Sequence, residues 1–229
     1  MSAPAGTRLA LFDLDNTLLN GDTDVLWCDF LIAQGRIDAT TFAAANTDME
    51  HRYQSGKATA AEFCAFYVSL LKGISHYDGE LLRQQFFSEW IRPRISDDAR
   101  AVVEKHRAAG DVLILTTATN RFTTELTAND LAIEHLIAIE TESVDGVFTG
   151  KTVGVLNMRE GKVVRLTQWL QGRGWAESLI SEATFYSDSI NDLPLLSAVA
   201  NPVAVDPDVK LALEAVARGW ATLRLRRNG

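Results

Sequence analysis

Apolar residues recur with two different periods along this chain. Between the first apolar run and Pro93 they follow helical spacing. The clearest stripe, at i, i+3, i+4, i+7 and i+8, consists of Phe63, Phe66, Tyr67, Leu70 and Leu71. Beyond Pro93, short apolar runs alternate with helical segments, which is typical of a parallel sheet covered by helices on both faces. The pattern predicts an α/β fold, a doubly wound parallel sheet with an inserted α-helical region.

Four helices are predicted in the inserted region, with no strand between them. They cover about residues 25–33, 39–54, 60–71 and 78–90. Thr59 and Glu62 have the spacing of a capping box at the start of the third helix. We therefore expect residues 20–92 to form a helical cap. Residues 1–19 and 93–229 would then make up the α/β core.

The chain after the cap shows the strand-helix alternation most clearly. Helices are predicted at about residues 96–109, 121–130, 162–171 and 208–218. Strands are predicted at about residues 112–115, 136–140, 184–186 and 202–205. Residues 144–153 contain the dipeptide Asp145-Gly146 and are predicted to form a small hairpin around it.

Composition and charge limit what the protein can bind. With 47% hydrophobic residues, a chain of 229 residues suffices for a large core. The net charge of −8 argues against general nucleic-acid binding, because that role needs a basic face to neutralise phosphates. No run approaches the ~20 apolar residues of a membrane helix, so no membrane partner is expected. Cys28 and Cys64 have no metal-binding spacing, and we expect both to be reduced in a cytoplasmic protein.

Polar side chains follow three of the apolar strands at the point where each strand ends. They are Asp13 and Asp15, then Thr116 and Thr117, then Asp188 and Asp192. The carboxyl ends of parallel strands lie on one edge of a sheet, so these side chains can converge. Two carboxylates ~4 Å apart repel each other by ~4 kcal/mol near a protein surface, and a hard divalent cation would reverse that balance. An all-oxygen ligand set favours Mg²⁺ over Zn²⁺.

A phosphate group bound by both such a cation and a lysine is well placed for phosphoryl transfer. That reaction mainly needs the reacting groups to be positioned and the phosphate charge to be neutralised. An ionised aspartate can itself be the nucleophile and form an aspartyl-phosphate that water later hydrolyses. The residues therefore predict a small phosphorylated metabolite as the binding partner.

Four sequence features follow one another in a fixed order. They are DLDNT from Asp13 to Thr17, the strand-end Thr117, Lys162 in GKVVRL, and SDSINDLPLL from Ser187. Together with the helical insert after the first motif, they resemble the haloacid dehalogenase-like phosphatases of the phosphoserine phosphatase branch. The resemblance spans most of the chain and implies a Rossmann-like hydrolase core with a helical cap. It further implies that Asp13 is the nucleophile and Asp15 the general acid/base.

The resemblance also implies roles for the remaining site residues. Phosphate contacts are implied for Thr117 and Lys162. The implied Mg²⁺ ligands are Asp13, the backbone carbonyl of Asp15 and Asp188, with Asp192 close by. Thr116 competes with Thr117 for the phosphate role, and Lys151 competes with Lys162. Asn191 either orients the acidic loop or caps the helix that follows.

Two positions in the predicted cap bear on the substrate. Asp22 lies where phosphoserine phosphatases carry an acidic residue that binds the substrate ammonium, and it is equally well placed to cap a helix. Tyr67 lies where those enzymes have an arginine for the substrate carboxylate. A phosphorylated amino alcohol such as histidinol phosphate, with an amine and no carboxylate, fits both positions better than phosphoserine.

Two other functions remain open at this point. The same residues could pass the phosphoryl group to an alcohol acceptor, as a phosphotransferase does. The chain could also be a non-catalytic module that binds Mg²⁺ or a phosphorylated metabolite. The presence of Asp13, Asp15, Lys162 and Asp188 together favours a Mg²⁺-dependent phosphatase, and the oligomeric state is not predicted.

Overall fold

The strands form one seven-stranded sheet in the computed structural model of the protein, which describes residues 3–226 apart from the side chain of Gln54. They are β1 (Leu9–Phe12), β2 (Val112–Asn120), β3 (His135–Val144), β4 (Val147–Val153), β5 (Thr184–Ser187), β6 (Asn201–Val205) and β7 (Ala221–Leu223). Their spatial order is β4-β3-β2-β1-β5-β6-β7, and neighbouring strands are parallel except β3 and β4. The predicted α/β fold is confirmed.

The helices of the described residues include the eight predicted ones in their predicted order, together with two four-residue helices that the sequence pattern does not predict. They are α1 (Thr23–Ala33), α2 (Ala39–Gln54), α3 (Ala60–Val68), α4 (His76–Phe86), α5 (Asp97–Ala108), α6 (Arg121–Asp130), α7 (Glu160–Gly172), α8 (Leu179–Glu182), α9 (Leu193–Leu196) and α10 (Val209–Arg218). Helices α1 to α4 come between β1 and α5. The capping box of Thr59 and Glu62 at the start of α3 is confirmed.

Strand β1 lies at the centre of the sheet and pairs with β2 on one side and β5 on the other. Its side chains are at most 2% exposed, and they alternate between two hydrophobic cores. Ala10 and Phe12 belong to one core, whereas Leu9 and Leu11 belong to the other. A strand covered on both faces needs a continuous apolar run, so Asp13 marks the point where the chain leaves the sheet.

The inserted helices share a hydrophobic core with the sheet. Trp27 of α1 packs edge-on against Phe86 of α4 and Phe122 of α6, with ring centroids 5.0 Å and 5.7 Å apart. Helix α4 ends at Phe86 rather than at the predicted Trp90, and the chain continues as a π-helical turn, Phe87–Ile91. Helices α1 and α4 therefore attach the insert to the sheet through apolar contacts.

Parts of the sheet differ from the sequence prediction. The strand predicted at residues 136–140 and the first half of the predicted hairpin are one continuous strand, β3, and β2 runs on to Asn120. The Asp145-Gly146 turn is confirmed, with φ of 49° and 75°, as a type I′ turn requires. No pattern predicts β7, because it is three residues long and largely exposed.

Cys28 and Cys64 are buried and form no disulfide. Burial raises the pKa of both thiols, so they are neutral near pH 7. Among the helices of residues 3–226, none combines the length and the apolar character needed to cross a membrane.

Candidate active site

A cavity of about 260 Å³ opens where β1, β2 and β5 end. Its lining contains two groups of residues that differ in position and charge. We call Asp13, Asp15, Lys162, Asp188 and Asp192 the floor. We call Asp22, Asp24, Tyr53, Phe63 and Arg159 the wall. The structure thus brings together the strand-end carboxylates that are far apart in the sequence.

Lys162 is the cation of the floor and belongs to the first turn of α7. Its ammonium donates to Asp13 Oδ1 at 2.7 Å and to Asp192 Oδ2 at 2.6 Å, and its side chain is 2% exposed. Although burial lowers the pKa of this ammonium, the two carboxylates raise it above its usual value. The same Oδ2 of Asp192 accepts the Ser187 hydroxyl at 2.7 Å. Lys162 therefore carries a permanent charge, and Asp192 is engaged in holding it.

Thr17 joins the two side chains that the sequence predicts as metal ligands. Its hydroxyl lies 3.2 Å from Asp13 Oδ2 and 3.0 Å from Asp188 Oδ1, and it accepts the Asp188 N–H at 3.0 Å. A hydroxyl has one hydrogen, so it cannot donate to both carboxylates at once. When both acids are ionised, Thr17 therefore cannot offset both charges, and their all-oxygen donor set fits a hard cation such as Mg²⁺.

The pKa values of the two acids agree with this excess of charge. Burial raises the pKa of Asp13 to about 7, with Lys162 opposing the rise and Asp192 adding to it. Burial also raises the pKa of Asp188 to about 8, and the charge of Asp13 adds to that rise. Within residues 3–226, no three His, Cys, Asp or Glu side chains form a ready metal cage. The predicted set uses two carboxylates and adds the backbone carbonyl of Asp15.

Three threonines hold Asp15. Its Oδ1 accepts the Thr23 backbone N–H at 2.7 Å and the Thr23 hydroxyl. Its Oδ2 accepts the hydroxyls of Thr119 at 2.7 Å and Thr117 at 3.3 Å. Burial and the charge of Asp22 raise the pKa of Asp15 to about 6, while the hydrogen bonds from Thr23 and Thr119 oppose the rise. A pKa near neutrality suits a group that both gives and takes protons.

Thr116 and Thr117, the two threonines of β2 considered for the phosphate role, lie outside the cavity lining. Thr117 is fully buried, donates to Asp15 and accepts the Thr119 N–H at 3.0 Å. Thr116 is also buried, and the cavity surface at this strand is formed by Ala118 and Thr119. A phosphate contact through Thr117 therefore stays a prediction, and Thr119 is the hydroxyl that lines the cavity.

Of the two lysines considered for the phosphate role, Lys162 lies at Asp13. Lys151 is exposed on β4 and lies outside the cavity lining. Asn191 does line the cavity, from the 3₁₀ turn before α9. Its position is compatible with the predicted part in orienting the acidic loop.

Two acids near the start of α1 lie in the wall. Asp22 caps α1 by accepting the Val25 N–H at 3.1 Å, and it also lines the cavity. Asp24 follows in the first turn of α1. Burial raises the pKa of both acids, and the charge of Asp22 adds to the rise at Asp24. The capping role of Asp22 is confirmed, and its position keeps a substrate contact available.

Tyr67 is not part of the cavity lining, although its ring packs edge-on against Phe63 of the wall, with ring centroids 5.2 Å apart. Its side chain is buried, its hydroxyl donates to Asn46 Oδ1 at 2.9 Å, and it lines a separate small cavity beside Cys28. Tyr67 belongs to the helical stripe that packs the inner face of α3, which explains its burial. The substrate contact predicted for Tyr67 stays a prediction.

Sequence reasoning missed several residues of the site. They are Thr23, Asp24, Tyr53, Thr119 and Arg159. The sequence could have indicated Thr119, because residues two positions apart in an extended strand, such as Thr117 and Thr119, lie on the same face. No sequence pattern could have indicated the contact between Tyr53 and Arg159, since they are 106 residues apart and meet only in the folded chain.

Curated proteins resemble this chain over most of its length. Residues 10–197 match the family described as haloacid dehalogenase-like hydrolase. The chain is 38% identical over 220 residues to a histidinol-phosphatase of Neisseria meningitidis serogroup C, covering 96% of this chain and 99% of that protein. It is 31% identical over 219 residues to the phosphoserine phosphatase SerB1 of Mycobacterium tuberculosis, covering 93% of this chain and 70% of that protein.

Solved structures agree with this relationship. A Bordetella pertussis protein of unknown function matches with a TM-score of 0.90 and 44% identity, covering 95% of this chain and 98% of that chain. A substrate-bound phosphoserine phosphatase matches with a TM-score of 0.68 and 16% identity, covering 98% of this chain and 95% of that chain, which shows a shared fold. The chain therefore belongs to the haloacid dehalogenase-like hydrolase family, and its relatives there include named phosphatases.

Proposed function

We propose that the protein is a Mg²⁺-dependent phosphatase for a small amine-bearing phosphomonoester, with histidinol phosphate as the leading candidate. The arrangement of the charged side chains in the floor is the main support for this proposal. Asp13 lies 2.7 Å from a buried lysine and is joined to Asp188 through Thr17. Two buried carboxylates beside a buried cation fit a nucleophile, a phosphate-binding group and a metal site in one place.

Asp13 and Asp15 divide the chemistry between them. A carboxylate oxygen of Asp13 attacks the phosphorus, the bond between phosphorus and the alcohol oxygen breaks, and Asp15 gives its proton to that oxygen. Asp15 then takes a proton from the water that attacks the aspartyl-phosphate, which releases inorganic phosphate and restores Asp13. A pKa of about 6 allows Asp15 to be protonated for the first step and ionised for the second.

Two cations offset the charge of the phosphate in this proposal. Mg²⁺ held by Asp13, Asp188 and the backbone carbonyl of Asp15 would supply charge neutralisation at the phosphate. Lys162 binds the phosphate from the same side as Asp13. Asp192 keeps the Lys162 ammonium in place through its 2.6 Å contact, and the metal contact predicted for Asp192 stays a prediction.

The wall supports an amine-bearing substrate. Once Mg²⁺ and Lys162 offset the acids of the floor, Asp22 and Asp24 are the other acids beside the substrate, and a substrate cation would favour their ionised forms. A substrate ammonium or imidazolium would neutralise them. Histidinol phosphate has this chemistry, and the Neisseria meningitidis relative of that name is matched over nearly its full length.

Residues 20–92 serve as the cap in this proposal. Helix α2 supplies Tyr53 to the cavity, and helix α3 supplies Phe63 and Cys64. A cap seated over the floor would exclude bulk water from the aspartyl-phosphate and would present selective residues to the substrate. The cytoplasmic location expected from the sequence is part of the same proposal.

A substrate panel tests the proposal. Phosphate release by the enzyme with Mg²⁺ would be measured for histidinol phosphate, phosphoserine and p-nitrophenyl phosphate. We expect kcat/KM for histidinol phosphate to exceed that for phosphoserine by at least about tenfold. The reverse order would reject the substrate, and no turnover of any ester would favour the non-catalytic alternative.

Product analysis separates hydrolysis from phosphotransfer. The reaction is run with an added acceptor alcohol, and both inorganic phosphate and phosphorylated acceptor are quantified. A hydrolase yields inorganic phosphate as the main product. Dominant formation of phosphorylated acceptor would assign the protein as a phosphotransferase.

A further inference from the structure

Arg159 is bound across the cavity to the inserted helices. Its Nη2 donates to the Tyr53 hydroxyl at 2.8 Å, and its guanidinium carbon lies 5.4 Å from the centre of the Tyr53 ring. Tyr53 in turn stacks on Phe63, with ring centroids 4.4 Å apart. Arg159 comes directly before α7, whereas the two aromatic residues come from α2 and α3. A cation of the core and two rings of the insert therefore form one continuous contact along the wall.

The backbone around Arg159 is tied to the sheet. Arg159 has a φ of 51°, which is uncommon for a residue with a side chain. Asn157, two residues earlier, is fully buried and donates to the carbonyls of Thr117 at 2.9 Å and Ile137 at 2.8 Å. The Arg159 carbonyl accepts the Lys162 N–H at 3.1 Å. These hydrogen bonds fix the backbone at Arg159. The position of its guanidinium then depends on the hydrogen bond to Tyr53.

The charges of the cavity make this contact important for selectivity. Among the described residues that line the cavity, Lys162 and Arg159 carry the positive charges. Lys162 is bound between Asp13 and Asp192, so Arg159 is the group that could meet a substrate carboxylate. A guanidinium binds a carboxylate best through two parallel hydrogen bonds. The hydrogen bond from Arg159 Nη2 to the Tyr53 hydroxyl competes with such a paired contact to a carboxylate.

We propose that Tyr53 and Arg159 set the substrate class of this site, in that Tyr53 holds the guanidinium back from the substrate and so disfavours phosphomonoesters that carry a carboxylate. The inference rests on the proposed phosphatase function. An amino acid phosphate must displace the Tyr53 contact before Arg159 can bind its carboxylate. An amine without a carboxylate meets Asp22 and Asp24 and needs no such rearrangement.

The variants Tyr53→Phe and Arg159→Gln, made singly and together, test this inference. Tyr53→Phe keeps the ring and removes the hydroxyl that holds Arg159. The value of kcat/KM is measured for phosphoserine and for histidinol phosphate, and each is divided by the value for p-nitrophenyl phosphate, which has neither amine nor carboxylate. We expect the phosphoserine ratio to rise about three- to tenfold in Tyr53→Phe, mainly through KM, as the loss of one exposed hydrogen bond allows.

The double variant shows whether the gain depends on the guanidinium. The rise in the phosphoserine ratio should vanish when Arg159→Gln is added, because no cation then remains to bind the carboxylate. Arg173→Gln is the matched control, since Arg173 is exposed, lies 3.8 Å from the centre of the Trp169 ring and is outside the cavity lining. Its ratios should equal those of the unaltered enzyme.

The outcomes separate this inference from the proposed function. An unchanged phosphoserine ratio in Tyr53→Phe would overturn the inference, and so would a rise that persists in the double variant. In either case turnover of p-nitrophenyl phosphate by the unaltered enzyme leaves the proposed function standing. Absence of turnover of all three esters by the unaltered enzyme would instead overturn the proposed function and the inference together.

Discussion

The floor and the wall of the cavity are held in different ways. Floor side chains have several partners each, as Lys162 between two carboxylates and Asp15 among three threonines show. In the wall, Arg159 is exposed, and its side chain donates a hydrogen bond to the half-buried Tyr53. Phosphoryl transfer tolerates little displacement of the reacting groups. The preference for one substrate over another, by contrast, can shift when one exposed contact changes. Changes in the floor should therefore alter turnover itself, and changes in the wall should alter the ranking of substrates.

Asp13→Asn gives the largest expected effect, because it removes the carboxylate proposed as the nucleophile and leaves the size of the side chain unchanged. We expect kcat for p-nitrophenyl phosphate to fall by at least about a thousandfold. Circular dichroism should show that the variant remains folded. Activity close to that of the unaltered enzyme would reject Asp13 as the nucleophile.

Lys162→Met comes next, because it leaves Asp13 and Asp192 buried without their cation. Breaking a buried ion pair from one side lowers the free energy of unfolding by about 3–5 kcal/mol. We expect a loss of that order in urea denaturation, together with a loss of phosphatase activity. Lys151→Met, which alters an exposed lysine on β4, is the matched control and should behave like the unaltered enzyme. Equal effects of the two substitutions would contradict the assignment of Lys162 to the floor.

The floor also predicts how stability depends on pH and Mg²⁺. Burial raises the pKa of Asp13, Asp15 and Asp188 from 3.8 to about 7, 6 and 8 in the folded protein. Without metal, the folded state therefore binds more protons than the unfolded chain between about pH 4 and 8. Its free energy of unfolding should fall as the pH rises through that window.

Thermal denaturation with Mg²⁺ or with a chelator, at several values between pH 5 and pH 8, measures this dependence. Mg²⁺ needs ionised carboxylates, so its stabilising increment should grow as the pH rises. Asp188→Asn should reduce the increment, because the variant loses one of the two carboxylates proposed to bind Mg²⁺. An increment that is the same at pH 5 and pH 8 would argue against a metal site at these acids.

Asp24→Asn gives the smallest expected effect and probes the wall. We expect kcat/KM for histidinol phosphate, divided by that for p-nitrophenyl phosphate, to fall about three- to tenfold, as the loss of one partly solvated charge contact allows. Asp29→Asn is the matched control, since Asp29 lies on the exposed side of α1 outside the cavity. A ratio that is unchanged in Asp24→Asn would remove this acid from substrate recognition.

The sequence by itself determined the fold and the motifs that contain the proposed reactive groups. The apolar run of β1 predicts a buried central strand, and the strand-helix alternation predicts a parallel sheet, because burial on two faces imposes a local pattern. The family resemblance implied Lys162 for the phosphate role with Lys151 as its competitor, and the structure places Lys162 at Asp13. These predictions needed only short-range periodicity and the order of motifs.

The tertiary structure alone decided which side chains hold those groups and which line the wall. Thr23 and Thr119 reach Asp15 from positions 8 and 104 residues away, and Arg159 meets Tyr53 across 106 residues. Tyr67, by contrast, is turned into the packing of the insert and away from the floor. Periodicity states which face of an element is buried, but a contact between two elements depends on how closely they pack and on which rotamers fit between them.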